Sequence, residues 1–201
     1  MNSRHSKVTD WGLSHISIEN QHPVLDVGCG GGRTVSKLAA ATQGKVCGID
    51  YSKESVLMAK RTNRHWIEMG RVEIREASVS QLPFPADMFD LVTAVETHFW
   101  WPDLPAGMRE VLRVMKPGGT LIIIAEIYKG ANAKIAKLAE KYLPLSGMAL
   151  LSVDEHRELL ANAGYSDVQT FEESGKGWIC AIGMKTTMPK GSISHDAQEP
   201  V

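Results

Sequence analysis

Two periods of hydrophobic positions alternate along this chain. Mainly apolar runs at 24–27, 46–50, 89–95 and 120–125, the first with Asp26 inside it, read as buried strands, and 72–77 alternates apolar and charged residues as a strand does. Between them the period lengthens. Residues 33–41 place Val35, Leu38 and Ala39 on one helical face, with Thr42 just beyond. Ser52 suits the cap of a helix that carries Val56, Met58, Ala59, Trp66 and Ile67 and stops at Gly70. Pro102-Asp103 opens another helix, running to about Met115, and Lys116-Pro117-Gly118-Gly119 turns sharply into the strand at 120–125. Strands and helices alternating through five units predict a parallel sheet covered on both faces.

The two ends of the chain read differently. Residues 4–20 mix polar positions with Val8, Trp11, Ile16 and Ile18, enough for a short helix with an apolar stripe. The stretch 130–151 is partly helical and is interrupted by Pro144 and Gly147. Ser152-Val153-Asp154-Glu155 is a capping box for a helix that ends at Ala163-Gly164. Strands at 168–171 and 178–184 are joined by so short a connection that they must be antiparallel. The expectation is a Rossmann-like α/β fold: a seven-stranded, mostly parallel sheet, helices on both faces, and an antiparallel C-terminal pair. Residues 1–22 form an N-terminal helical segment, 23–185 one domain, and 186–201 a mobile tail with few large apolar residues.

Composition narrows the function classes. With 201 residues, 43% apolar and 22% charged, the chain suits a single globular domain. A formal net charge of -1 gives no electrostatic footprint for nucleic acid or an anionic membrane. Cys29, Cys47 and Cys180 are scattered in apolar runs or the glycine turn, which supports neither a disulfide framework nor a metal site. No stretch reads as a signal peptide or membrane span, so a cytoplasmic protein, monomeric or a homodimer, is expected.

The candidate chemistry starts at Asp26-Val27-Gly28-Cys29-Gly30-Gly31-Gly32, where an apolar strand meets a glycine cluster and a helix begins at once. Such a turn brings backbone close to a ligand, because glycine has no Cβ and tolerates positive φ. A dinucleotide turn wants G-x-G-x-x-G. Starting from Gly28 or Gly30, the third place falls on Arg33 or Val35, and both frames fail.

Asp26 to Gly32 instead resembles the first motif of the class I methyltransferases dependent on S-adenosylmethionine (SAM). Asp50, 22 residues after Gly28, stands where that family holds an acid on the ribose hydroxyls. Glu76 to Phe84 resembles the loop that brackets adenine, Phe89-Asp90-Leu91-Val92 the fourth-strand motif, and Val111 to Gly119 the helix-turn-strand motif of small-molecule members. The resemblance implies SAM as cofactor and S-adenosylhomocysteine (SAH) as product. It implies a cofactor site of Asp26, Gly28, Cys29, Gly30, Asp50, Tyr51, Ala77, Ser78, Val79 and Val95. Many relatives carry an aspartate where this chain has Ser78, so a hydroxyl or the Val79 backbone must serve the adenine amino group. The chemistry agrees, since SAM has no phosphates and needs close backbone, an acid for two hydroxyls and an apolar slot.

The acceptor side is read from Thr93 to Asp103, at the carboxyl edge of the sheet. Glu96 is either a partner for an ammonium or substrate group or a helix-start acid. His98 is either a general base or a solvated loop residue. Trp100 and Trp101, with His5, Trp11, Tyr128 and Met148, are the candidates for a substrate wall, with plain core packing as the alternative. No Asn-Pro-Pro-Tyr-type motif follows the fourth strand, which leaves a small-molecule methyl acceptor as the expected partner. A non-catalytic SAM-binding protein and a nicotinamide-dependent oxidoreductase are the competing readings.

Overall fold

The computed structural model describes residues 4–18, 23–142, 148–173 and 175–187, without the side chains of Arg4, His5, Ile135, Ala139 and Lys141. The expected tail at 186–201 falls almost wholly outside the described residues, as do Pro144 and Gly147.

Seven strands form one sheet in the order β3-β2-β1-β4-β5-β7-β6. They are β1 (Val24–Val27), β2 (Val46–Asp50), β3 (Val72–Glu76), β4 (Phe89–Val95), β5 (Met115–Ala125), β6 (Tyr165–Glu173) and β7 (Trp178–Lys185). Strands β1 to β5 pair in parallel, and β7 runs antiparallel to both β5 and β6. The expected architecture is the observed one.

Helices cover both faces. On one face lie α1 (Arg4–Leu13), α2 (Arg33–Ala41), α3 (Lys53–Thr62) and α4 (Arg64–Glu68), whose Val8, Val35, Leu38 and Val56 pack on Val24, Leu91, Ile122 and Ile124. On the other lie α5 (Leu104–Val114) and α7 (Val153–Ala163), whose Met108, Val111 and Leu160 pack on Leu25, Val92, Leu121 and Ile123. The neighbours in β5 therefore point to opposite layers, as strand geometry requires. The remaining helix, α6 (Lys134–Tyr142), follows β5.

Local chemistry sets the helix starts. Asp103 caps α5 by accepting from the Ala106 amide at 2.9 Å. Ser152 and Glu155 form the expected capping box on α7, and Gly164 ends that helix with φ 100°. Three boundaries differ from expectation. The helix after Ser52 breaks at Asn63 into α3 and α4, because that side chain turns inward. β5 starts at Met115, upstream of the Gly118-Gly119 turn. β6 extends at both ends, its half-exposed edge having hidden the apolar period.

Candidate active site

The strand order reverses between β1 and β4, so the loops leaving their carboxyl ends diverge and open a cleft. The glycine turn leaves β1 there. Gly28 has φ 71°, and a Cβ on it would overlap the Thr97 hydroxyl, so only glycine lets these two loops meet.

Two cavities flank the turn. The first, about 470 Å³, is lined by Val27, Gly28, Ile49, Asp50, Tyr51, Ala77, Ser78, Val79, Thr97 and Trp100 to Pro102. The second, about 930 Å³, runs from Gly28, Cys29, Gly30, Val95, Glu96, Phe99 and Trp100 to Ser6 and Thr9 of α1 and Arg33, Thr34 and Lys37 of α2. Gly28 and Trp100 line both. All the expected cofactor residues except Asp26 line one or the other.

Asp50 ends β2 and is 7% exposed. Its Oδ2 accepts from the Gly30 amide at 2.8 Å and its Oδ1 from the Ser52 amide at 2.9 Å. One acid thus braces the turn and the start of α3. Tyr51, next in the chain, is 77% exposed at the rim of the first cavity. The Ser78 hydroxyl accepts from the Ser80 amide at 3.2 Å, which spends it on its own turn but leaves it on the cavity wall.

Asp26 lies under the turn, buried in the sheet beside Thr93 of β4, whose hydroxyl donates to its Oδ1 at 2.6 Å. Burial pushes its carboxyl up to about 7, with the Asp50 charge adding to that and the Thr93 hydrogen bond opposing it. Cys29 is buried, and burial pushes its thiol up, so it packs as an unreactive group.

The acceptor candidates separate. Glu96 lines the second cavity in a left-handed conformation, φ 56°, and accepts a hydrogen bond from the Glu126 amide. His98 does not reach either cavity. It sits in a short 3-10 turn (His98–Trp100), 2% exposed, with its Nε2 3.1 Å from Nε2 of His156 in α7. Burial, then the neighbouring His156, holds its pKa well below the ordinary value. It is thus neither a general base at the cleft nor a solvated residue. Trp100 is 56% exposed between the two cavities, and Trp101 is buried against Gly107 with one side on the first.

Trp11, Tyr128 and Met148 line neither cavity. Trp11 packs on Trp178, Tyr128 donates to Glu172, and Met148 joins Phe99, Ala125 and Ile179 in a small core. The side chain of His5 lies outside the described residues. Sequence reasoning missed Thr97, whose role depends on Gly28 lying against it, and the polar end formed by Ser6, Thr9, Arg33, Thr34 and Lys37. An amphipathic α1 was the available signal for that end, because its polar positions had to face something. Among the described residues no group of three or more His, Cys, Asp or Glu could hold a metal, and no helix is long and apolar enough to cross a membrane.

This sheet order, with a cleft at the switch point, is a Rossmann-like methyltransferase architecture. A chain in the solved complex between the Haloferax volcanii Trm112 methyltransferase activator and a methyltransferase superposes with TM-score 0.78 at 20% identity, covering 92% of each chain. At that identity the likeness carries the fold alone. The sequence carries more. Residues 25–123 match the family described as methyltransferase domain. The chain is 31% identical over 160 residues to the methyltransferase GfsG of Streptomyces halstedii, covering 79% of this chain and 58% of that protein. It is 30% identical over 173 residues to the ubiquinone/menaquinone biosynthesis C-methyltransferase of Geobacter sulfurreducens, covering 74% and 68%. The chain belongs to the class I SAM-dependent methyltransferases. It spans little more than half the length of several curated relatives, 54–59% in four of them.

The residues present fit the cofactor of that class. The glycine turn is a cradle that a Cβ at Gly28 would disturb, and Asp50 stands at the rim with lone pairs to spare. The first cavity is walled mainly by apolar groups, as an adenine slot should be.

Proposed function

We propose that this chain moves a methyl group from SAM to a nucleophilic atom of a small, moderately apolar molecule. The observation that carries the reading is the pair of cavities meeting at Gly28 and Trp100, with Asp50 on one side and Glu96 on the other. When bound, SAM supplies a methyl group already activated by its sulfonium. The protein's work is then alignment and exclusion of water.

Asp50 holds the ribose hydroxyls, and Ile49, Tyr51, Ala77, Val79 and Trp101 wall the adenine, with Ser78 or the Val79 backbone as its polar contact. Gly28, Cys29, Gly30 and Val95 would flank the methionine part, and the hydroxyls and cations between α1 and α2 would hold its carboxylate. Asp26 acts from beneath through the local charge. Phe99 and Trp100 bound the acceptor side, and Glu96 orients an acceptor donor group. With His98 withdrawn to His156, a neutral amine or a readily ionised thiol or phenol suits the site better than an acceptor needing a strong base. The three buried unpaired thiols suit a reducing compartment such as the cytoplasm.

The test is SAH formation from SAM with a panel of small thiols, amines, phenols and halides. Turnover with one class supports the reading. SAH binding by calorimetry with no turnover on any class would make the chain a SAM-binding protein without this chemistry, and NAD(H) binding without SAM binding would overturn the site.

A further inference from the structure

Asn63 is completely buried at the junction of α3 and α4, 31 residues from the glycine turn it touches. Its Nδ2 group donates to the Gly32 carbonyl at 2.8 Å and to the Ala59 carbonyl at 2.9 Å. Those two acceptors fix which end of the amide faces the turn. The other end, Oδ1, is buried without a hydrogen-bond partner. A buried unused acceptor costs free energy that an apolar side chain of similar size would not. Filling space therefore does not account for an asparagine here; its donor does.

That donor acts on the last residue before α2. Gly32 has φ 79°, and a Cβ on it would overlap Asn63 and Ala59. In the middle of the same turn, Gly30 is held by Asp50. The Cys29 amide donates to the Ile49 carbonyl and the Gly32 amide to the Cys29 carbonyl, both at 2.8 Å, yet three glycines at positive φ, Gly28, Gly30 and Gly32, still give this backbone more conformations to lose than other residues would. We infer that Asn63 is a positioning residue for the cofactor: from behind the site it pins the 28–32 backbone in the shape that receives SAM. Asn63 lines neither cavity, so it acts through the turn and not by contact. The inference rests on the SAM reading of the cleft.

The test uses the full chain and two variants, Asn63→Asp, which keeps the shape and loses the donor, and Asn63→Ala. Calorimetry with SAH should show a roughly tenfold weakening in whichever variants fold, the scale of one hydrogen bond plus lost preorganisation. Amide exchange of residues 28–32 without ligand should be faster than in the wild type. Folded variants with lowered melting temperature but unchanged SAH affinity and unchanged exchange at 28–32 would reduce Asn63 to a structural residue and overturn the inference. A wild-type chain that fails to bind SAH overturns the cofactor reading and this inference with it; normal wild-type binding beside unaltered variants overturns only the role of Asn63.

Discussion

Asp50 is committed before any ligand arrives. Each carboxylate oxygen accepts one backbone amide, from Gly30 and Ser52, and each keeps a lone pair for a ribose hydroxyl. Asp50→Ala should weaken SAH binding by about 1.5–3 kcal/mol, read by calorimetry, since the hydrogen bonds lost involve a charged group. Unchanged affinity in a folded variant would place the ribose elsewhere. This acid was legible through the family resemblance, whose signal is local: it closes a buried strand 22 residues after Gly28. His98 was not. Its fate is decided by His156, 58 residues along the chain and on another helix. Asn63 escaped notice for the same reason, one of its partners being the Gly32 carbonyl, 31 residues back in the chain.

Between elements, the imidazole pair joins the turn after β4 to the first turn of α7. His156 Nδ1 lies 2.7 Å from the Ser152 carbonyl, which can only accept, so that nitrogen carries the proton. In neutral rings His156 Nε2 then accepts from His98 Nε2–H. Burial lowers the pKa of both, with His156 further depressing His98, while Ser152 and Glu155 pull His156 the other way. An unfolded histidine titrates near its ordinary value of 6.5, so the unfolded chain takes up protons first as pH falls. The pair's contribution is thus complete above about pH 6.5 and is lost as pH drops through the lower folded values. Melting temperature should fall between pH 7 and 5, and a His98→Gln/His156→Gln double variant should show a shallower slope. Parallel slopes would mean the pair does not carry the linkage. Helix ends were legible where the cap is written in adjacent residues, as at Ser152. The α3–α4 break was not, because Trp66 and Ile67 continue the apolar period past Asn63.

For the molecule as a whole, alternating periods were enough to give five parallel units and an antiparallel pair. They could not say that β7, the last strand, would lie between β5 and β6, since that is a long-range pairing. Nor could they dock α1. It seats Gly12 directly on Ile124 of β5 and Trp11 on Trp178 of β7, with ring centroids 5.9 Å apart. That docking brings Ser6 and Thr9 over the second cavity, so the polar end of the site depends on the far end of the chain.

The position of β7 also sets a schedule for biosynthesis. Residues Leu121 to Ala125 of β5 are fully buried, and one edge of that strand pairs only with Ile179 to Met184. A ribosome adding about 5–20 residues per second needs roughly 3–12 s to pass from the end of β5 to the end of β7. From the time β5 leaves the ribosome until β7 arrives, that strand edge has no partner, a surface that invites association with another chain or a chaperone. A chain stopped before Trp178 should therefore bind a hydrophobic dye and sediment as oligomers. If it stays a dye-negative monomer, something other than β7 shields that edge.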